Sequence, residues 1–476
     1  RRPHHMTPQD EGAGLGKRPT SELYENVTCP FCGILCDDLE ISRTGSTLKV
    51  LKNGCGRAHG GFERTLPEAQ PMVKGRAVEL PQAIETAAAL IKKAQLPLFG
   101  GIATDVDGVR AALSIADRSC GVIDHALSEG QFRNLKVLQS SGWIMSTLTE
   151  ARNRADLFII VGTDAHKLHG RFFERIVCTP ESMFEDMSSK RTVVFIGEGL
   201  DTSAAKGPRI DEVITLPCKL DKVGEVLAAL RARLRGTDLK ALEPANDATG
   251  NVSGSKRPGF FSNLLPKQRA AKIPSSPRTQ TIDGVSLADI DALAERCKNA
   301  RYGVMVWAPP GLNFPNADLT VQIISDVVKD LNVTTRFAGL SLGGNDGVVS
   351  GAAVGAWQTG YPLRVSYATG KPEYDSYRYS IGRMLAEKEG DLLLWIATFS
   401  PDIVPPETNL PTIVLGTPGL KLKKTPDVFI PVGTPGVDHA GILVRCDNVV
   451  SLPLKNLNRA PLPRAADVLA ALEAAL

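Results

Sequence analysis

Four of the nine cysteines stand close together near the start of the chain, at Cys29, Cys32, Cys36 and Cys55. The first three follow a C-x2-C-x3-C spacing, in which Gly33 lets the backbone bend so that the thiols face one point. The fourth returns after a strand predicted over 48–52. Thiolates select Zn²⁺ or iron–sulfur clusters. The pattern therefore predicts one four-thiolate metal centre, against the alternatives of independent thiols or a CxxC redox pair.

The spacing leaves the metal open between two candidates. Zinc sites usually come as two CxxC pairs, whereas three close cysteines with a distant fourth are more typical of a cluster-binding loop. We therefore expect either [4Fe–4S] or Zn²⁺, and the spacing slightly favours the cluster.

The other properties of the chain exclude several classes of protein. Five cysteines are scattered singly and are expected to be core or inert thiols, which points to a cytoplasmic protein and not to a secreted disulfide scaffold: Cys120, Cys178, Cys218, Cys297 and Cys446. Net charge is +3 with no long basic run, so nucleic acid is not an expected partner. No stretch of about 18 apolar residues predicts a membrane span.

Beyond the cysteine module, short apolar runs alternate with amphipathic segments. The runs at 96–103, 156–164 and 302–309 are typical of buried parallel strands, and 106–120 and 318–331 have helical spacing. Strands that alternate with helices predict an α/β fold with parallel sheets covered on both faces. A stretch rich in Pro, Gly and Ser interrupts this rhythm and predicts a linker.

These patterns divide the chain into six segments. They are a disordered tail at 1–20, a small Cys-rich metal module at 21–75, an α/β domain at 76–236, a linker or insertion at 237–284, a second α/β domain at 285–435, and a β-rich C-terminal segment with a final helix at 436–476.

Several motifs resemble the B-type subunits of the formylmethanofuran dehydrogenase family. They are CPFCGILCDDLE at 29–40, NGCGR at 53–57, GVIDHAL at 121–127, NRADLFIIVGTDAHKLHGR at 153–171, WQTGYPLRVSYATGKPEYD at 357–375 and GTPGVDHAGILVRCDNVVSLPL at 433–454. The resemblance covers roughly 25–235 and 285–455. It implies the multi-domain molybdopterin-oxidoreductase fold, related to formate dehydrogenases.

Two places depart from the catalytic members of this family. A cysteine or selenocysteine that ligates tungsten or molybdenum is expected within 100–112, which here offers Thr104, Asp105 and Asp107 but no thiol. A Cys–His pair is also expected after an I-D-N motif, and here the segment is IDHALSEGQFRN, with His125 shifted and no cysteine. We therefore expect no functional molybdenum or tungsten pterin, no catalytic residue in this chain and no cofactor-binding residue beyond the four cysteines.

The same departures make the chain most similar to the B-type subunit of the bacterial formyltransferase/hydrolase complex. The resemblance implies a redox-inactive structural subunit in the tetrahydromethanopterin- and methylofuran-linked oxidation of formaldehyde to formate by methylotrophs. Its expected partners are a formyltransferase, an amidohydrolase-like hydrolase and a C-type subunit. The alternatives are an active molybdenum or tungsten dehydrogenase subunit, with Asp105 as a metal ligand, and an unrelated zinc-binding α/β protein.

The remaining candidate residues have structural explanations. We expect His125, His166 and His169 to be satisfied loop or core histidines, although an HxxH pair could bind a metal. Asp438 and His439 are expected in a structural turn. Trp357 and Tyr361 are expected to be packing anchors more than stacking partners of a cofactor.

Overall fold

The structure is a computed structural model that describes residues 21–184, 190–237, 281–458 and 460–476. The predicted tail at 1–20 and most of the predicted linker at 237–284 lie outside the described residues. No helix in the described ranges is long and apolar enough to cross a membrane.

The elements follow one another in three stretches. Residues 21–125 form β1 (Glu22–Val27), β2 (Leu39–Thr44), β3 (Thr47–Lys52), α1 (Gly56–Phe62), β4 (Met72–Val73), β5 (Arg76–Ala77), α2 (Leu80–Lys93), β6 (Pro97–Ala103), α3 (Val106–Arg118) and β7 (Val122–Ile123). The middle stretch forms α4 (Ser128–Ser141), α5 (Leu148–Arg154), β8 (Leu157–Val161), α6 (Ala165–Leu168), β9 (Arg191–Ile196), β10 (Ile210–Leu216), α7 (Val223–Leu234), β11 (Thr281–Ile282), β12 (Val285–Ser286), α8 (Leu287–Asn299), β13 (Gly303–Trp307), α9 (Ala317–Leu331) and β14 (Phe337–Ser341). The last stretch forms α10 (Val348–Thr359), β15 (Val365–Ser366), β16 (Glu373–Tyr374), α11 (Ile381–Ala386), β17 (Leu392–Ala397), β18 (Thr412–Gly416), β19 (Val428–Pro431), β20 (Gly441–Val444), β21 (Ser451–Leu454) and α12 (Ala465–Ala474).

Local sequence signals explain where several helices begin and end. α3 begins after Asp105, whose carboxylate accepts from the Gly108 amide, and α8 begins after Ser286, whose hydroxyl accepts from the Asp289 amide at 3.1 Å. α7 ends just before Gly236, whose φ of +78° is a left-handed conformation that glycine adopts readily.

The chain divides into two compact units. The first holds the residues up to His125 together with Ser350–Val444 and Ser451–Leu476, and the second holds Ala126–Val349 and Arg445–Val450.

A nine-stranded sheet is the centre of the first unit, in the order β16-β15-β7-β6-β17-β18-β19-β4-β5. Its middle strands β7, β6, β17, β18 and β19 are parallel. A separate antiparallel sheet, β1-β2-β3, belongs to the cysteine module.

The second unit contains a five-stranded parallel sheet in the order β10-β9-β8-β13-β14. β8 and β13 are adjacent in this sheet but far apart in the chain. The strand order therefore reverses between them, and such a switch point is where open α/β sheets bind ligands.

The prediction of an α/β fold with parallel sheets is confirmed. The antiparallel pair of β20 and β21 agrees with the predicted β-rich C-terminal segment. The predicted domain boundaries differ from the structure. The predicted domain at 76–236 is divided after His125, because β6 pairs in parallel with β17 of the later region and not with β8. The last residues of the predicted 21–75 module belong instead to the nine-stranded sheet, because β4 pairs with β19.

Candidate functional site

The first three cysteines lie in a closed loop after β1. The Cys29 amide donates to the Cys36 carbonyl at 2.8 Å, and the Leu35 amide donates to the Cys32 carbonyl at 3.1 Å. Leu35 has a φ of +50° and packs against Phe399 in a small apolar cluster of the first unit. These contacts fix the loop, and all three cysteine side chains are buried.

Cys55 reaches this loop from the end of β3, as the sequence predicts. It immediately precedes α1, and Phe62 of that helix packs edge to face on Phe31, with ring centroids 5.0 Å apart. Burial raises the pKa of Cys29, and burial raises the pKa of Cys32 to about 12, while the charges of the other cysteines, Cys55 included, raise both further. The charges of Cys36 and Cys55 thus act on both Cys29 and Cys32.

Among the described residues, no three His, Cys, Asp or Glu side chains are grouped closely enough to hold a metal. The chemistry of the donor set still suits a thiophilic metal, because three buried thiols share one loop and a fourth lies near them. The four-cysteine centre and its metal stay a prediction.

Asp105 serves the fold of the first unit. Its Oδ1 accepts from the Gly108 amide at 3.1 Å and from the Thr104 hydroxyl at 3.3 Å, so the carboxylate caps α3. Its Oδ2 faces Gly441, where an added Cβ would come within 2.5 Å. Burial is the main cause of the raised pKa of Asp105. A helix-capping carboxylate in such a confined place is poorly suited to ligate molybdenum or tungsten.

The second unit has a cavity at the carboxyl ends of its strands. It measures about 280 Å³, just below the range usual for ligand pockets. The loops after β8, β13 and β14 line it together with the segment before and within α4. That segment contains the place where the catalytic members carry the Cys–His pair. Here it contributes Ala126, Leu127, Glu129, Gly130 and Gln131, so no thiol of the described residues lines the cavity.

The arginine that lines this cavity is already engaged by its walls. Arg133 Nη1 donates to the carbonyls of Pro309 at 3.0 Å and Leu312 at 2.7 Å, and Nη2 donates to Asn313 Oδ1 at 2.6 Å. A pterin dinucleotide brings phosphates that need free donors and a metal that needs a thiolate or its equivalent. The walls take three of the five N–H donors of Arg133, and no thiol stands among the described residues that line the cavity.

The carboxyl edge of the nine-stranded sheet carries a cluster that the sequence analysis missed. Thr398, Thr417 and Thr434 follow β17, β18 and β19, and all three are fully buried. Arg64 donates to Thr417 Oγ1 at 3.1 Å, to Thr434 Oγ1 at 2.8 Å and to the Phe399 carbonyl at 2.7 Å. The side chain of Arg64 thus occupies the space at the carboxyl ends of these strands. The sequence pattern that could have indicated this cluster is a threonine shortly after each of the three buried strands.

The three histidines lie in different surroundings. His125 and His169 are buried, His169 lines the cavity of the second unit, and the ring of His166 lies edge to face with Phe173 at 6.5 Å. Asp438 Oδ2 accepts from the Thr434 amide at 2.8 Å, and the Asp438 amide donates to the Thr434 carbonyl at 2.9 Å. This confirms the predicted structural turn.

Two expectations for single residues are wrong. Cys120 is exposed and is not a core thiol, because it lies beyond the last turn of α3 with a φ of +53°. Trp357 is not a packing anchor, since 63% of its surface is exposed at the end of α10.

Comparison with known proteins places the chain among components of one class of enzyme complex. A scan against models of protein families finds no match. The B-type subunit of the tungsten-containing formylmethanofuran dehydrogenase 2 of Methanocaldococcus jannaschii is 25% identical over 443 residues, which cover 90% of this chain and 92% of that protein. The corresponding protein of Methanococcus maripaludis is 22% identical and covers 92% and 95%.

A second kind of relative comes from a bacterium. The B-type subunit of the formyltransferase/hydrolase complex of Methylorubrum extorquens is 26% identical over 373 residues, which cover 78% of this chain and 87% of that protein. The chain is thus homologous to B-type subunits of both kinds, and the resemblance found in the motifs is confirmed.

A solved structure supports the fold. A chain of the crystal structure of the Methylorubrum extorquens formyltransferase/hydrolase complex with methylofuran superposes with a TM-score of 0.65. It has 24% identity and covers 85% of this chain and 98% of its own length. The two chains share a mixed α/β fold with parallel sheets.

Proposed function

We propose that this chain is the B-type subunit of a formyltransferase/hydrolase complex and that it carries no redox centre for molybdenum or tungsten. Sequence identity alone does not choose between the two kinds of relative, because the values lie between 22% and 26% for both. The residues at the positions that are catalytic in the dehydrogenases distinguish between the two kinds of relative.

The observation that carries the proposal is the state of the cavity in the second unit. Among the described residues, no cysteine lines it where the dehydrogenases carry the Cys–His pair, and Arg133 is bonded to the walls. In the first unit, Asp105 caps a helix and Arg64 fills the edge of the sheet. These three side chains therefore support the protein itself.

In such a complex, the resemblance assigns the chemistry to the partners. A formyltransferase passes the formyl group from formyl-tetrahydromethanopterin to methylofuran, and an amidohydrolase-like subunit releases formate. This chain would then position these subunits, together with a C-type subunit. The molybdopterin-oxidoreductase fold and the cytoplasmic location stay predictions.

Co-expression of the full chain with the formyltransferase, hydrolase and C-type subunits of its own organism tests this role. The proposal expects one complex that releases formate from formyl-tetrahydromethanopterin and methylofuran. Omitting the chain should separate the two activities into unassembled subunits. Recovery of the complete complex without this chain contradicts the proposal.

We also propose that Cys29, Cys32, Cys36 and Cys55 bind one metal centre that stabilises the first unit. Four thiolates would hold either Zn²⁺ or [4Fe–4S]. Elemental analysis and an absorption spectrum of the anaerobically purified chain distinguish them, because only the cluster absorbs broadly near about 400 nm. A chain purified with neither zinc nor iron contradicts this assignment.

A further inference from the structure

The strand order of the nine-stranded sheet reverses between β6 and β17. The chain runs from β6 through α3 to β7 on one side, and from β17 to β18 and β19 on the other. Open α/β sheets bind ligands outside the carboxyl ends of their strands at such a point. Here the two strand ends are joined instead, because the amide and the hydroxyl of Thr398 donate to the Ala103 carbonyl at 2.9 and 3.0 Å.

The guanidinium of Arg64 reaches the same place from the cysteine module. Arg64 lies two residues after α1, and its bonds to the Phe399 carbonyl and to the Thr417 and Thr434 hydroxyls are 2.7, 3.1 and 2.8 Å long. Phe399 also packs against Leu35 of the cysteine-bearing loop. We call the Phe399 carbonyl and the Thr417 and Thr434 hydroxyls the acceptor site. The cysteine module thus closes the end of the sheet with one of its own side chains.

The hydrogen bonds around the acceptor site determine what it binds. Thr434 Oγ1 donates its proton to the Thr398 carbonyl at 2.8 Å. A hydroxyl has one proton and two lone pairs, and a carbonyl has lone pairs only. Thr434 and the Phe399 carbonyl therefore present only lone pairs to a group in the site. Such a site suits a ligand that donates hydrogen bonds and disfavours phosphate, whose charged oxygens bring further lone pairs.

A buried carboxylate adds to this preference for a cation. Asp438 is 3% exposed, and its Oδ2 accepts from the Thr434 amide at 2.8 Å. The threonines are fully buried, so water screens these groups little. A planar guanidinium carries five donors in a fixed fork, whereas an ammonium is a compact point charge. Several acceptors around one point therefore select a guanidinium.

We propose that the acceptor site is a guanidinium-binding site and that Arg64 is its internal ligand, which closes this end of the sheet to phosphate-bearing molecules. When Arg64→Ala empties the site, it takes ethylguanidinium, which reproduces the atoms that the substitution removes. The inference goes beyond the proposed function, because it concerns the chain alone and requires no partner subunit.

Thermal unfolding of the purified full chain tests the inference. Millimolar ethylguanidinium should raise the melting temperature of Arg64→Ala by about 2 °C or more, with saturation. The wild type should show no rise, because Arg64 already fills its site. Arg110→Ala is the matched control, since Arg110 is exposed on α3 of the same unit. Ethylammonium and phosphate at the same concentration should not stabilise Arg64→Ala in this way.

A second substitution tests which atoms bind the cation. Thr434→Val, added to Arg64→Ala, removes one acceptor and should weaken ethylguanidinium binding by about 5- to 10-fold. If Arg64→Ala does not fold by itself, its refolding yield with and without ethylguanidinium supplies the same information, and the added cation should increase that yield.

Three results would overturn the inference. The first is an effect of ethylguanidinium on Arg64→Ala that is no larger than its effect on Arg110→Ala. The second is equal stabilisation of Arg64→Ala by ethylammonium or by phosphate. The third is a refolding yield that ethylguanidinium leaves unchanged. Each of these results leaves the proposed function standing, because assembly with the partner subunits is measured separately.

Discussion

Several buried arginine side chains stabilise this protein by donating hydrogen bonds to backbone carbonyls and hydroxyls. Within the first unit, Arg64 binds a carbonyl and two threonine hydroxyls at the edge of the nine-stranded sheet. Within the second unit, Arg133 binds the wall of the cavity, and Arg191 is completely buried. A guanidinium has five N–H donors in a fixed plane, so it can satisfy several acceptors where chain ends meet.

Arg191 supplies the first prediction at this scale. Its guanidinium donates to the carbonyls of Ile176 at 2.8 Å and Val177 at 2.6 Å and to that of Arg152, at the ends of two helical segments. Burial and the nearby Arg209 charge lower the pKa of Arg191 to about 10. Arg191→Met should lower the free energy of unfolding by about 2–4 kcal/mol, because these buried acceptors lose their donor.

Chemical denaturation of the full chain measures this loss. Arg301→Met is the control, since the Arg301 side chain is 49% exposed, and it should change stability by no more than about 0.5 kcal/mol. Equal effects of the two substitutions would count against a structural role for Arg191.

Tyr367 supplies a prediction on pH. The side chain is buried, and burial, followed by the Asp117 charge, raises the pKa of Tyr367 to about 12. Between pH 10 and 12 the unfolded chain loses this proton while the folded chain keeps it. Stability therefore falls by about 1.4 kcal/mol per pH unit from this group. Tyr367→Phe should remove that part of the slope in denaturation curves across this window. Tyr377→Phe, at an exposed ring, should retain it, and two identical slopes would contradict the burial effect.

At the scale of elements, the sequence predicted best what local patterns determine. Hydrophobic runs and capping residues located β6, α3, β8 and α9 closely, because strands and helices are fixed by residues near in the chain. Pairing between distant strands leaves no such pattern. The parallel pairing of β6 with β17 could therefore not be predicted from the sequence. The boundary between the two units after His125 depends on that pairing and could not be predicted either.

The candidate site shows the same division between local and distant information. The spacing of the cysteines predicted that Cys29 and Cys36 share a loop, and the structure closes that loop with a hydrogen bond between them. The roles of Arg64 and Arg133 depend on acceptors far along the chain, so their sequence neighbours gave no indication. Exposure of Trp357 was likewise missed, since an aromatic residue beside a turn is more often buried.

The cysteine module carries the prediction at this scale. If its thiols hold a structural metal, Cys36→Ser removes one ligand and should destabilise the first unit by about 3 kcal/mol and loosen assembly of the complex. Thermal unfolding and size-exclusion chromatography measure the two effects. Cys120→Ser, at an exposed thiol outside the module, is the control and should leave both unchanged. Full stability and assembly of Cys36→Ser would show that the module needs no metal.

At the scale of the whole molecule, the chain is similar over most of its length to subunits of tungsten-containing dehydrogenases. Homology extends to relatives from tungsten-containing dehydrogenases over 90% of the chain. The cavity of the second unit nevertheless has no thiol among its described lining residues, and its arginine is bonded to the walls. These features agree with the proposed role as a scaffold without a molybdenum or tungsten centre.

The tungsten and molybdenum content of the assembled complex, measured together with reduction of a viologen dye by the formylated carrier, decides whether this chain holds a redox centre. We expect only traces of either metal and no dye reduction, in the same preparation that releases formate. Stoichiometric tungsten or molybdenum with pterin, accompanied by viologen reduction, would contradict it.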